Sequence, residues 1–334
     1  MAPTAYYTWQ GLTLAVQDAQ PPLATHPEAL LQDLSWVRTA PEGEHPAVSL
    51  TVHRDDHRPH VPPTAREVWR AEGFCGLADG DACYLTDGAS LVHMQGDEGC
   101  GEAWLAASFA AIPPYRQRAV WAFGLLKLLR PLGYFSLHAA GVVSRQGRGL
   151  LLVGPSGSGK STLTLGLLRQ GWGVLSDDAV LLRVQPDGVE ALACRRPVYV
   201  HAEAAARHAD LPFGEAVPDG TGGWKRRVAI ETAFPTQQRT SCRPQGLLFA
   251  SVVPQPQSAL HPVAGPTAVQ QLLTHSGPHL FDRATMRPHL EILPRLLQQT
   301  RVYALDAGRD LYEAPRTLTR LLREAEGVML WPDW

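Results

Sequence analysis

Residues 149–162 read Gly-Leu-Leu-Leu-Val-Gly-Pro-Ser-Gly-Ser-Gly-Lys-Ser-Thr, and this stretch decides the fold. Gly154 and the run from Gly159 to Ser161 have the G-x-x-x-x-G-K-[ST] spacing that is typical of a phosphate-binding loop, or P-loop. The apolar run at 150–153 predicts a strand before the motif, and the apolar face of residues 162–168 predicts a helix after it. A strand, a glycine-rich loop and a helix in this order predict an α/β fold.

The chemistry of this loop depends on its backbone. Glycines let the chain curl round a polyphosphate with its N–H groups pointing inward, where a Cβ atom would block the close approach. Lys160 is predicted to reach the β- and γ-phosphates, and Ser161 to place its hydroxyl on Mg²⁺. ATP and Mg²⁺ are therefore the expected cofactors. The predicted nucleotide-binding residues are Gly154, Pro155, Ser156, Gly157, Ser158, Gly159, Lys160, Ser161 and Thr162.

Two adjacent acids, Asp177 and Asp178, interrupt the next apolar stretch at 173–182. Because neighbouring residues of a strand point to opposite faces, one carboxylate can face a metal while the other has a different function. A P-loop and one acid suffice for ATP hydrolysis, whereas a second acid can take the proton of an acceptor hydroxyl. The alternative is that the second acid is structural, at a strand end or in a salt bridge.

The chain resembles the catalytic domain of the HPr kinase/phosphorylase family in three segments, which occur in the family's order. They are 138–143 (His-Ala-Ala-Gly-Val-Val), 154–161 and 171–178. The resemblance implies a P-loop kinase domain of the HPr kinase type, with His138 beside the transferred phosphoryl group and Lys160 on the phosphates. It implies that Ser161 and Asp178 bind Mg²⁺. Asp177 would then be the base for the acceptor hydroxyl, and the roles of the two aspartates can be exchanged.

Family members that act on HPr carry a second signature downstream, an acidic residue followed by a glycine-rich Ile/Val segment, and residues 193–200 lack it. The resemblance therefore points to kinase-like relatives, some of which modify ribosomally made peptides. The expected activity is transfer of the γ-phosphoryl group of ATP to a hydroxyl, with serine of a peptide or protein as the favoured acceptor. A P-loop ATPase or nucleotide switch, a nucleotide-binding scaffold and a small-molecule kinase are the alternatives. Because relatives often form hexamers, a homo-oligomer is compatible with the resemblance.

The composition argues against several other classes. With 334 residues, 45% of them hydrophobic, the chain can bury one or two sizeable cores. Its 30 basic and 32 acidic side chains nearly balance, which argues against nucleic acid or a membrane surface as a partner. The cysteines form no C-x-x-C pair, so a zinc site is not indicated. The sequence has neither a long apolar run nor a basic segment followed by an apolar core, so neither a membrane span nor an export signal is expected. We therefore expect a cytoplasmic enzyme.

The order of predicted elements indicates two domains. Residues 1–132 are predicted to form a smaller N-terminal mixed α/β domain that ends in a connecting helix at 115–132, and residues 133–328 the catalytic domain. The glycine-rich segment 212–227 contains Lys225, Arg226 and Arg227, which predicts a mobile loop over the phosphates or, alternatively, a solvated loop. The proline-rich segment 254–266 is predicted to be irregular.

Overall fold

The computed structural model describes residues 4–18, 31–32, 34–40, 46–54, 58–71, 73–95, 98–194, 197–218, 222–276, 283–314 and 316–325. The chain divides into two compact units of mixed α/β structure. The first comprises Met1–Phe135 with Pro278–His289, and the second Ser136–Gly277 with Leu290–Trp334. The domain boundary after residue 132 stays a prediction. Across the described ranges, every helix is too short or too polar to span a bilayer.

The described part of the first unit contains one nine-stranded sheet, in the order β3-β1-β2-β4-β9-β8-β7-β6-β5 for the strands bounded below. Residues 6–16, whose alternating pattern indicates a strand or a hairpin, form most of the hairpin of β1 and β2. Its turn at Gln10 and Gly11 has positive φ at both positions (51° and 81°), as a two-residue hairpin turn requires. The strands are β1 (Thr4–Trp9), β2 (Leu12–Asp18), β3 (Val37–Thr39), β4 (Val48–His53), β5 (Arg66–Ala71), β6 (Phe74–Asp79), β7 (Ala82–Thr86), β8 (Leu91–Gln95) and β9 (Cys100–Trp104).

A helix follows this sheet in the chain. After a 3₁₀ turn at Ala107–Ala111, helix α1 (Pro114–Leu129) begins with proline, whose missing N–H costs nothing in the first turn. Val120, Leu125 and Leu128 are buried along one face, at the spacing that a helix needs to pack on a sheet. The helix predicted at 115–132 is therefore confirmed over most of its length.

Within its described residues, the second unit has a six-stranded sheet, a four-stranded sheet and a three-stranded sheet. Their orders are β13-β11-β12-β20-β22-β21, β10-β14-β15-β19 and β16-β18-β17, with the bounds that follow. The strands are β10 (Tyr134–Leu137), β11 (Ala139–Val143), β12 (Gly149–Val153), β13 (Gly173–Ser176), β14 (Val180–Gln185), β15 (Gly188–Ala193), β16 (Val198–His201), β17 (Phe213–Pro218), β18 (Trp224–Val228), β19 (Ser241–Cys242), β20 (Pro244–Val252), β21 (Ala259–Pro262) and β22 (Arg301–Ala307). The helices are α2 (Lys160–Leu168), α3 (Ala202–Arg207), α4 (Ile230–Ala233), α5 (Gly265–His275), α6 (Arg283–Gln299), α7 (Asp310–Glu313) and α8 (Thr317–Ala325).

Strand direction in the six-stranded sheet brings distant segments to one edge. β12 is parallel to β20, and β20 is parallel to β22. β11 is antiparallel to both β12 and β13, so β13 also runs in the direction of β12. The segments that follow β12, β13 and β22 therefore meet at the carboxyl edge, where open α/β sheets bind ligands. β11 runs in the opposite direction and so begins at the same edge, which places His138, the residue directly before β11, at that edge as well.

Both loop predictions are wrong in part, because each segment contains strand residues. Segment 212–227 contains β17 and the first four residues of β18, and β18 pairs with β16 as well as with β17. Its cationic side chains, two of which are exposed, give no apolar alternation, which is why the sequence suggested a loop. The proline-rich segment 254–266 contains β21, an edge strand that ends at Pro262, where proline is tolerated.

Candidate active site

The P-loop joins β12 to α2 and has the backbone that its glycines predict. Gly157 and Gly159 have φ of 84° and 90°, in the left-handed region that favours glycine. Gly154 is needed for space, because a Cβ atom there would lie 2.5 Å from Ser158 Oγ and 2.7 Å from the main-chain oxygen of Ala250 on β20. The loop therefore leads directly into the N-terminus of α2, whose N–H groups favour an anion.

Lys160 folds back over the loop that precedes it. Its Nζ donates to the carbonyl oxygens of Gly154 (2.6 Å) and Pro155 (2.9 Å) and lies 3.3 Å from His138 Nε2. The residue is 7% exposed, and burial lowers the pKa of its ammonium group, against the opposing charges of Asp178 and Asp177. Lys160 is thus held over the glycine-rich loop by hydrogen bonds to the backbone of that loop.

Asp177 lies just after β13 and contacts the first turn of α2. Its Oδ2 accepts hydrogen bonds from Ser161 Oγ (2.8 Å) and from the Tyr199 N–H (3.4 Å). The residue is 4% exposed, and burial raises the pKa of its carboxyl group to about 6. In the described part of the chain, its Oδ1 is buried without a hydrogen-bond partner. Such an atom costs free energy unless a cation or a water completes the site.

Asp178 has the opposite environment from its neighbour. Its side chain is 43% exposed, and its Oδ1 lies 3.6 Å from His138 Nδ1. His138 is therefore between Asp178 on one ring nitrogen and Lys160 on the other. The backbone N–H of His138 donates to the carbonyl oxygen of His275 (2.8 Å), which fixes the backbone before β11. The chain thus offers one enclosed and one open carboxylate, side by side.

These groups line a cavity of about 390 Å³. Of the residues predicted for nucleotide, metal and catalysis, nine line it: His138, Ser156, Gly157, Gly159, Lys160, Ser161, Thr162, Asp177 and Asp178. The other three residues are Gly154, Pro155 and Ser158. Gly154 and Pro155 accept hydrogen bonds from Lys160, and Ser158 packs against Gly154, so these residues shape the loop from within. The volume lies in the range of small-ligand sites.

Sequence reasoning missed several side chains that also line this cavity. The Arg207 guanidinium stacks 5.6 Å from the centre of the Tyr312 ring, and Arg309 lies beside them. Arg309 follows β22, so the rule that ligands bind at the carboxyl ends of parallel strands is a signal that points to it. Lys225 reaches the cavity from β18, although the sequence had placed it on a mobile loop.

No cluster of three or more His, Cys, Asp or Glu side chains that could hold a metal occurs in the described ranges. Ser161 and Asp177 nevertheless supply oxygen donors, and the unpartnered Oδ1 of Asp177 adds one more. Mg²⁺ usually takes only one or two protein carboxylates and completes its shell with water and phosphate oxygens. The residues present therefore fit Mg²⁺ held together with a nucleotide.

Comparison with known proteins gives a distant relationship. No protein-family model matches the chain. Over 68 residues it is 38% identical to the HPr kinase/phosphorylase of Chlorobium chlorochromatii (strain CaD3), a match that covers 20% of this chain and 20% of that protein. The match therefore spans about a fifth of the relative's length. The HPr(Ser) kinase/phosphatase of Coxiella burnetii matches with a TM-score of 0.29 and 13% identity, over 57% of this chain and 95% of that chain. The sequence match indicates an HPr kinase-like relationship.

Proposed function

We propose that the chain is an ATP- and Mg²⁺-dependent kinase that transfers the γ-phosphoryl group to a hydroxyl, with serine of a peptide or protein as the acceptor. The observation that carries this proposal is the pair of carboxylates beside the P-loop, one buried against Ser161 and one open to solvent. A nucleotide switch needs the first carboxylate, whereas phosphoryl transfer to an alcohol also uses the second. The partial match to an HPr kinase/phosphorylase supports the same class of enzyme.

The loop and its lysine would bind the phosphates. When bound, ATP would supply the phosphoryl group and Mg²⁺ would offset the charge on the phosphate oxygens. Lys160 would exchange its bonds to Gly154 and Pro155 for bonds to phosphate, at little net cost because both arrangements satisfy the ammonium group. Lys225, Arg207 and Arg309 bring further positive charge to the same cavity.

The surroundings of the two aspartates favour an exchange of the roles that the resemblance implies, with Asp177 on the metal and Asp178 as the base. Asp177 would hold the metal with Ser161, because it already accepts the Ser161 hydroxyl and has an unpartnered oxygen. Asp178 would accept the proton of the acceptor serine, because its exposed carboxylate can be approached from solvent. His138, whose Nδ1 lies 3.6 Å from Asp178 Oδ1, would orient that carboxylate beside the transferred group.

Transfer of label from γ-labelled ATP to candidate acceptors, mapped by mass spectrometry, tests the proposal. Serine-containing peptides and HPr are the first acceptors to try. Asp178→Asn should abolish serine labelling while the protein still binds the nucleotide, because the variant keeps the shape of the side chain and removes the base. Asp187→Asn is the matched control, since Asp187 is an exposed acid that pairs with Arg243 away from this cavity.

Serine labelling by Asp178→Asn at the wild-type rate would overturn the assignment of the base. Release of phosphate without any labelled acceptor would instead favour the P-loop ATPase or nucleotide switch. A labelled small molecule would move the proposal to a small-molecule kinase. A cytoplasmic location and a homo-oligomer stay predictions, which fractionation of cells and the mass of the protein in solution would test.

A further inference from the structure

A second cleft of the second unit is lined by arginines and does not include the P-loop. Its volume is about 940 Å³, and its walls come from the turn between β11 and β12, from the end of α2 and from α8. The chain as a whole has a formal net charge of −2, so this cleft is a local concentration of positive charge. The five arginines are Arg145, Arg169, Arg316, Arg320 and Arg323.

Helix periodicity places three of these arginines together. Arg316, Arg320 and Arg323 are separated by four and three positions, which puts them on one face at the start and along the length of α8. Leu318 and Leu322 are buried in the main core of the unit, so they fix the rotation of the helix. The arginine face is therefore a fixed feature of the fold.

The opposite wall is held by the turn after α2. Gly171 has a φ of 86°, and a Cβ atom there would lie 2.5 Å from Arg145 Nε, so the Arg145 side chain packs directly on this turn. Trp172, which also lines the cleft, is 2% exposed and belongs to the same core as α8. In the described part of the chain, no carboxylate lies within ion-pair distance of Arg145 or Arg316.

Two arginines of the cleft already bind carboxylates of the chain itself. Arg169 makes a two-bond contact with Asp210 (2.9 and 2.8 Å), and Arg320 bonds Glu324 (2.8 Å). All four side chains are substantially exposed, so these pairs contribute little stability and can exchange partners at low cost. The guanidinium fork matches a carboxylate, and these contacts show that carboxylates reach this rim.

We infer that the arginine cleft binds an acidic segment of a polypeptide. Resting on the proposed kinase function, this segment belongs to the acceptor that carries the serine. All five arginines are exposed, whereas a small-molecule site encloses most of its ligand. The arginine face from 316 to 323 extends over about 10 Å, which is the length of about three residues of an extended peptide. An extended acidic chain thus fits the cleft better than a compact anion.

Binding without nucleotide tests the inference. A fluorescein-labelled Glu-Gly repeat peptide is titrated with the full chain and followed by fluorescence anisotropy, with a Lys-Gly repeat peptide as its counterpart. The Glu-Gly peptide should bind, and the double variant Arg316→Glu, Arg323→Glu should weaken its affinity about tenfold, since two ion pairs become like-charge contacts. Raising the ionic strength should weaken binding to the wild type.

Two further variants keep the result interpretable. Arg38→Glu with Arg66→Glu makes the same change in net charge on exposed strand residues of the first unit and should leave binding unchanged. Arg316→Lys with Arg323→Lys keeps the charge and the fold and should bind with intermediate affinity, because the fork is lost. Equal binding by wild type and the charge-reversal variant overturns the inference, as does the absence of binding to wild type. Tight binding of tripolyphosphate that displaces the peptide would identify a small-anion site instead and overturn it too.

The kinase assay separates this inference from the proposed function. For a serine peptide that carries an acidic extension, charge reversal in the cleft should raise KM about tenfold and leave kcat unchanged. A chain that binds the Glu-Gly peptide but transfers no phosphoryl group would contradict the proposed kinase function and would still support peptide binding at the arginine cleft. A kinase whose KM does not respond to the acidic extension would contradict the link between the cleft and the acceptor.

Discussion

Acid should destabilise the first unit in large part through His289. His289 on α6 is fully buried, where its Nδ1 accepts a hydrogen bond from Arg130 Nη1 (2.9 Å) and its ring lies 5.1 Å from that of Phe135. Burial, reinforced by the charges of Arg130 and Lys127, lowers the pKa of His289 from 6.5 to about 3. The folded state therefore keeps the imidazole neutral at a pH where the unfolded chain protonates it.

The sign and size of the effect follow from that pKa. Because the unfolded chain binds the proton more tightly, the stability from the neutral ring is complete above about pH 6.5 and is lost as the pH falls toward 3. At about pH 4 the loss of stability is about 3 kcal/mol, since each pH unit between the unfolded and folded pKa values of His289 removes about 1.4 kcal/mol. That is a large part of the about 5–15 kcal/mol that stabilises a typical domain.

Urea unfolding of wild type and His289→Gln at about pH 7 and pH 4 measures this loss. The amide oxygen of glutamine can still accept from Arg130, and the smaller side chain should cost about 1–2 kcal/mol at neutral pH. All other titrations are shared, so the difference in unfolding free energy should move by about 3 kcal/mol in favour of the variant at pH 4. Leu129→Val, a buried neighbour that does not titrate, should differ from wild type equally at both values. A His289→Gln difference that does not change with pH would refute the reasoning.

Three further predictions concern the P-loop site. Lys160→Ala should lower phosphoryl transfer about a hundredfold or more, measured as labelled acceptor per time, and an undiminished rate would contradict its role. Lys225→Met should raise the KM for ATP in a steady-state assay, whereas Arg226→Met, on the exposed face of the same strand, should not. Gly154→Ala should lower the unfolding free energy by about 1–3 kcal/mol, read from urea denaturation, because the new methyl meets the fixed carbonyl of Ala250.

The part of the site that the sequence predicted is local in the chain. The glycines of the P-loop are needed for the backbone conformations now seen at 157 and 159, and Lys160 and Ser161 have fixed positions relative to them. The twin acids could be found because carboxylates in an apolar stretch are unusual. Their division into one buried and one exposed group could not be found, since it depends on Tyr199, on β16, and on His138, which lies just before β11.

What the sequence did not reveal depends on long-range pairing. The strand order of the nine-stranded sheet depends on which strands pair and in which register. The register is set by which face of each strand is buried, and this depends on residues that are distant in the sequence. β18 was missed because its Lys-Arg-Arg core has polar side chains, and its strand conformation comes from partners on both sides. Arg207 and Tyr312 meet across about a hundred residues of sequence, so no motif could have joined them.

Helix α2 connects the proposed phosphate site and the proposed peptide-binding cleft of the second unit. Its N-terminus forms the end of the P-loop, and Arg169 of the arginine cleft follows its last residue. The nine residues of the helix span about 13 Å at 1.5 Å per residue. An extended peptide needs about four residues to cover this distance, and more to pass round the surface. An acceptor can therefore use both regions only if its acidic segment lies at least about four residues from the serine. Shortening that spacer should remove the benefit of the acidic segment and leave the serine itself a substrate.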